Sequence, residues 1–209
     1  MKDQTKIQLS SYEMELVNNA EIILTKNTIV QKAIQLLENL LEVQKKFVQS
    51  NRKKLPAEVF TPSAKISKGE NYKGLPYLVL DHPRYFEKDN IFAIRTMFWW
   101  GNFFSITLHL SGEYKKKMEK KIIDSRLTFI KNEFYICAQD NEWEHHFETD
   151  NYVPVSKLKK NIFEKQINEK PFIKLAKRIS LNQWNDAEKI LFSSYRQINI
   201  MLTSQFPRR

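Results

Sequence analysis

Cysteine occurs once in this 209-residue chain, at Cys137. One thiol cannot close an intramolecular disulfide, and it excludes zinc sites built from several cysteines. Apolar runs are short: none approaches the roughly 20 residues that span a bilayer. No apolar stretch follows the polar start Met1-Lys2-Asp3-Gln4-Thr5-Lys6, so no secretory signal is read. Glycine is scarce, at positions 69, 74, 101 and 112. That leaves no P-loop and no Gly-x-Gly-x-x-Gly turn, and Gly-x-Ser-x-Gly is missing as well. These absences point to a cytoplasmic protein with no cofactor motif, no metal site and no catalytic constellation.

What is present is ordinary for a globular chain, 42% hydrophobic and 28% charged. The length suits one domain over residues 1–209. The net charge of +10 makes a field that attracts anions. Its lysines and arginines cluster at Arg52-Lys53-Lys54, at Lys115-Lys116-Lys117 with Lys120 and Lys121, at Lys157, Lys159, Lys160 and Lys165, and at Arg208-Arg209. Lys116, Lys117, Lys120 and Lys121 are the candidate nucleic-acid contacts. Lysine dominates these clusters, whereas Arg is the better bidentate phosphate ligand. Solvated surface is therefore the preferred reading, with nucleic-acid binding as the alternative.

Periodicity divides the chain. Ser10-x-x-Glu13 is a capping-box pattern, and an apolar helical stripe follows. Thr25-Lys26-Asn27 reads as a break, and Thr28-x-x-Gln31 as the cap of a second helix with Val30, Ala33, Ile34, Leu37, Leu40, Leu41, Phe47 and Val48 on one face; the two segments form either an antiparallel hairpin or one longer helix. Near residue 63 the period becomes that of strands. Gly69 and Gly74 bracket an expected loop, Tyr77–His82 alternates, and Ile91–Trp100 and Phe103–Ser111 are aromatic and β-branched. Tyr114, Met118 and Ile122 predict a short helix. Arg126–Ile130, Glu133–Gln139 and Trp143–Glu148 read as three short strands. From Ser156 onward helices are expected: one to about Ile167, one from Pro171 and one capped near Asn185. The order predicts an α+β fold, with a mostly antiparallel sheet of about five to seven short strands against N-terminal (1–50) and C-terminal (156–206) helices; the sheet occupies 63–150.

Gly101-Asn102 looks like a two-residue hairpin turn. That register would put Ile91, Ala93, Arg95, Met97, Trp99, Phe104, Ile106, Leu108 and Leu110 on a core face. Phe92, Ile94, Thr96, Phe98, Trp100, Phe103, Ser105, Thr107, His109 and Ser111 would form the other. The second face mixes rings with hydroxyls and an imidazole, which suits a ligand or partner surface. Phe98, Trp100, Phe103, Ser105, Thr107 and His109 are the candidate ligand residues. Arg95, the odd residue of the apolar face, would reach the sheet edge or pair with an acid such as Asp81. On a strand, Glu142, Glu144, His146 and Glu148 would share one face, read as exposed acidic surface rather than a metal site. Cys137 reads as a buried inert thiol, and Lys68–Gly74 as a connecting loop rather than an anion cradle.

The sequence thus predicts a non-catalytic binding or interaction module acting through an aromatic and hydroxyl sheet face, toward a small molecule or a protein partner. No membrane partner is expected, and a homo-oligomer is allowed. An enzyme assembled from distant residues is the remaining alternative, with His109 or His82 for acid–base work.

Overall fold

A computed structural model describes residues 7–50 and 52–203. The polar start Met1–Lys6 and the Arg208-Arg209 pair lie outside the described residues. Seven antiparallel strands form one sheet in the order β1-β2-β3-β4-β7-β5-β6. They are β1 (Lys65–Tyr72), β2 (Leu75–Phe86), β3 (Ile91–Trp99), β4 (Phe103–Ser111), β5 (Tyr135–Cys137), β6 (Tyr152–Pro154) and β7 (Phe172–Ser180). The helices are α1 (Ser11–Asn18), α2 (Ala20–Gln49), α3 (Gly112–Asp124), α4 (Arg126–Lys131), α5 (Lys160–Glu169) and α6 (Ala187–Thr203). The fold is α+β, with helices from both ends of the chain on the sheet. No helix among the described residues is long and apolar enough to cross a membrane.

The capping box forms: the Ser10 amide donates to Glu13 Oε2 at 2.7 Å, and the Glu13 amide to Ser10 Oγ at 3.3 Å. The break comes earlier than Thr25. It falls at Asn19, whose side chain accepts from the Glu21 amide and starts α2. Thr28 lies inside α2 and donates its hydroxyl to the Leu24 carbonyl, so its polar side chain is satisfied without a cap. The stripe Val30, Ala33, Leu37, Leu40 and Val48 is buried. Leu16, Val17, Ile22, Ile23 and Leu24, toward the free end, are exposed.

One apolar cluster joins α2, α3, α5 and α6 to a single face of the sheet. Leu78 and Leu80, Phe92 and Ile94, Phe104, Ile106, Leu108 and Leu110, and Ile173, Leu175 and Ile179 face these helices. Each such side chain fully withdrawn from water contributes about 1.5–3 kcal/mol. This face is the main source of stability.

The hairpin turns through three residues rather than two. Trp99 pairs with Phe103 and Phe98 with Phe104. Gly101 takes a left-handed φ of 70°, and the Asn102 amide donates to the Trp99 carbonyl at 3.1 Å. One extra loop residue slips the register by one, and a one-residue slip moves a strand's whole side-chain set across the sheet. The expected faces are corrected accordingly. Phe92, Ile94, Thr96 and Phe98 join Phe104, Ile106, Leu108 and Leu110 under the helices. Ile91, Ala93, Arg95, Met97 and Trp99 share the far face with Phe103, Ser105, Thr107, His109 and Ser111.

Other elements also differ from expectation. Residues 126–130 are helical, in α4, and 143–148 form no regular element. Pro171 starts no helix; β7 follows and pairs with β4 along its length. Phe172, Leu175, Ala176 and Ile179 fit a helical period as well as a strand, and the strand requires a lysine, Lys174, to point inward. β1 continues past Gly69 as a polar edge strand, its register with β2 shifting by one residue between Gly69 and Tyr72, so the expected loop shrinks to the turn at Lys73-Gly74. Gly69 faces Tyr77, whose ring occupies the place a Cβ would take.

Candidate functional site

Among the described residues, no helix covers the far face of the sheet. The segment 138–151, between β5 and β6, crosses it instead. An irregular segment laid on a sheet has backbone groups that need partners, and the polar side chains of this face supply them. Lys174 on β7 donates to the Glu142 and Glu144 carbonyls at 2.7 and 2.6 Å. His109 on β4 lies 2.7 Å from Glu142 Oε2. The Tyr72 hydroxyl accepts from the His145 and His146 amides and donates to Glu144 Oε2 at 2.8 Å. Phe147 stacks on Tyr152, their centroids 4.6 Å apart, and meets Phe103 edge-on. Asn151 holds the His146 carbonyl, and the buried Cys137 thiol donates to Asn151 Oδ1.

Burial sets the charge state of this layer. His109 is held below the ordinary histidine range by burial, against the opposing pull of Glu142, and burial with Lys174 and Arg95 nearby depresses His145 further. A neutral His109 then donates from Nε2 to an ionised Glu142, whose own pKa that bond lowers. Burial pushes Lys174 down to about 8 and Tyr72 up to about 12.

Beside the covering segment, toward β1 and β2, the face opens into a pocket of about 400 Å³. Tyr72, Tyr77, Val79 and Trp143 wall it; Ser67, Asp81, Arg95 and His145 supply polar groups. Asp81 and Arg95 are cross-strand partners on β2 and β3. Arg95 grips Asp81 with two hydrogen bonds, Nε to Oδ1 at 2.8 Å and the terminal nitrogen to Oδ2 at 2.9 Å. Its other terminal nitrogen lies 3.3 Å from His145 Nε2. A guanidinium can only donate, so Nε2 accepts and the imidazole proton sits on Nδ1. The pair is only 17% and 11% exposed, yet it borders open space. No known protein family, curated protein or solved structure matches this chain. The pocket is therefore read from its own chemistry.

The six candidate ligand residues divide among three places. Phe103, Ser105, Thr107 and His109 do share the far face, but all are buried beneath 138–151, His109 to 5%. Phe98 lies in the helix-side core, and Trp100 borders a groove with Ile22, Thr25 and Ile29 of α2. His82 lies apart from both, lining a small cavity with Lys45 and Phe60. Sequence reasoning missed Tyr72, Tyr77, Trp143 and His145 as pocket residues. Arg95 was the available signal: a charge amid apolar alternation marks a site where something pairs with it. Glu142, Glu144, His146 and Glu148 do not share a face, because 143–148 is no strand; Glu142 turns to His109 and Glu144 to Tyr72.

Lys116, Lys117 and Lys120 are exposed on α3, while Lys121 donates to the Leu202 carbonyl at 2.9 Å. Lys116 pairs with Glu113, and Lys117 lies over the Tyr114 ring. Solvated helix surface predicts mixed-sequence RNA or DNA binding no tighter than roughly 10⁻⁴ M at physiological salt. Fluorescence anisotropy checks this; micromolar affinity lost on replacing the four lysines would restore the nucleic-acid reading.

Proposed function

We propose that this protein is a non-catalytic small-molecule-binding module whose site is the pocket of Tyr72, Tyr77, Asp81, Arg95, Trp143 and His145. The observation that carries this reading is the Arg95–Asp81 pair, nearly buried yet lining an aromatic-walled cavity. The volume falls in the range of small-molecule sites, roughly 300–1,000 Å³, and a few convergent polar groups among rings are what such sites contain. Three of the five N–H groups of Arg95 are engaged, which leaves two for a ligand. Asp81 balances the charge of Arg95, so the pocket suits a planar ligand with neighbouring hydrogen-bond donors and acceptors better than a polyanion. Tyr72, Tyr77 and Trp143 offer ring faces and edges for stacking.

The test is a ligand screen by NMR with nucleobases, aromatic amides and aromatic carboxylates. Binders are expected to shift the Trp143 indole and the Arg95 side-chain resonances. A panel whose binders shift the Trp100 indole and leave Trp143 and Arg95 unmoved would place the site elsewhere.

A further inference from the structure

The far end of the covering segment holds a second group of polar side chains that the pocket does not use. His146 is buried, its side chain only 4% exposed, and its Nδ1 makes no hydrogen bond among the described residues. Leaving a buried ring nitrogen without a partner is unfavourable. Nδ1 points at two exposed carboxylates, with Glu148 Oε2 at 3.5 Å and Asp150 Oδ1 at 3.9 Å. The three ligand atoms lie within 4.8 Å of one another. Both distances from Nδ1 are long for hydrogen bonds. They are right for two ligands of one ion: donors about 2.0–2.2 Å from a metal stand at most about 4.4 Å apart. The opposite ring nitrogen, Nε2, lies 3.6 Å from Glu144 Oε2, and Tyr72 holds that carboxylate. That separation is too long for a hydrogen bond, so Glu144 acts on the ring through its charge, as a carboxylate behind a metal-bound imidazole does.

We propose that His146 Nδ1, Glu148 and Asp150 bind a divalent transition-metal ion of the Zn²⁺ type. One imidazole and two carboxylates form a mixed nitrogen and oxygen set; hard Mg²⁺ prefers oxygen alone, so Zn²⁺ is favoured over it. Glu148 and Asp150 are exposed, and their rotamers close the remaining distance. The competing cation is Lys73, at the β1–β2 turn, whose amine stands 3.8 Å from Glu148. Three protein ligands leave open coordination positions for water. The ion would fasten the end of the segment whose other residues, Trp143 and His145, wall the pocket. This site stands on its own observations and does not depend on the small-molecule reading.

Calorimetric titration of the metal-free protein with Zn²⁺ tests it. One equivalent is expected to bind in the micromolar range, with a rise in melting temperature, while Mg²⁺ at the same concentrations does not bind. Glu148→Gln and Asp150→Asn, both at exposed positions, should each weaken Zn²⁺ at least tenfold with the fold intact. Glu144→Gln, which acts through His146, should weaken it less. Absence of binding at millimolar Zn²⁺ would overturn the site. Binding unchanged in the Glu148→Gln/Asp150→Asn double variant would do the same, by assigning the metal to other residues.

Discussion

Asp81→Leu is expected to destabilise the protein by about 3–5 kcal/mol, because it leaves the nearly buried Arg95 guanidinium without its counter-charge at the floor of the pocket. Arg95→Met should cost a similar amount by stranding Asp81. The double variant, Asp81→Leu with Arg95→Met, removes both charges and should be more stable than either single variant by at least about 1 kcal/mol. Taking two charges out of water offsets much of what their attraction supplies, so breaking the pair costs more than deleting it. Denaturant unfolding of the four proteins measures this. Single variants that match wild type would show that the pair is solvated, and the pocket would lose its base.

Acid is expected to weaken the fold from pH 6.5 downward. His82, His109 and His145 all have depressed pKa values, His82 at about 4 through burial with Lys45 nearby. Above pH 6.5 all three are neutral folded and unfolded, and their contribution is fully present. Below 6.5 the unfolded chain takes up protons that the folded chain refuses. Stability then falls by about 1.4 kcal/mol per pH unit for each histidine until its folded pKa is reached. His82, whose folded pKa lies near 4, accounts for a loss of about 1 kcal/mol between pH 6.5 and 5.5, and His109 and His145 add to it in the same direction. His82→Gln should remove the His82 share of that loss. Chemical denaturation at half-unit pH steps checks it; stability flat down to pH 5 would mean that these rings are hydrated.

The sequence reading reached most of the helical face. Val30, Ala33, Leu37, Leu40 and Val48 recur at 3.6 residues because one side of α2 alone is buried, and the Ser10–Glu13 box announces a helix start. The hairpin was legible as a hairpin but not in its register, since Gly101 serves two-residue and three-residue loops alike. That single slip exchanged Arg95 and Trp99 with Phe98 and Trp100 between faces. β7 was illegible for a different reason. It is buried on both sides, and Lys174 looks like a solvent residue until 138–151 offers it two carbonyls. The pocket could not be read at all as a unit. Tyr72, Asp81, Arg95 and His145 come from an edge strand, two central strands and an irregular segment, and no local period connects them. What the sequence did show was their oddity: Arg95 on an apolar face, and hydroxyls and an imidazole where a filled core would carry none. Those polar groups turn out to anchor a covering segment rather than face solvent.

Ligand binding is assigned to the pocket beneath Trp143. Trp143 is half exposed, so Trp143→Ala removes a wall of the pocket with little effect on the core. The decisive measurement is the Kd of the best compound from the screen for wild type, Trp143→Ala and Trp100→Ala, with the melting temperature of each. At least a tenfold loss of affinity is expected in Trp143→Ala at near-wild-type stability, and affinity within twofold of wild type in folded Trp100→Ala. Unchanged affinity in Trp143→Ala, or a selective loss in Trp100→Ala, would contradict the assignment.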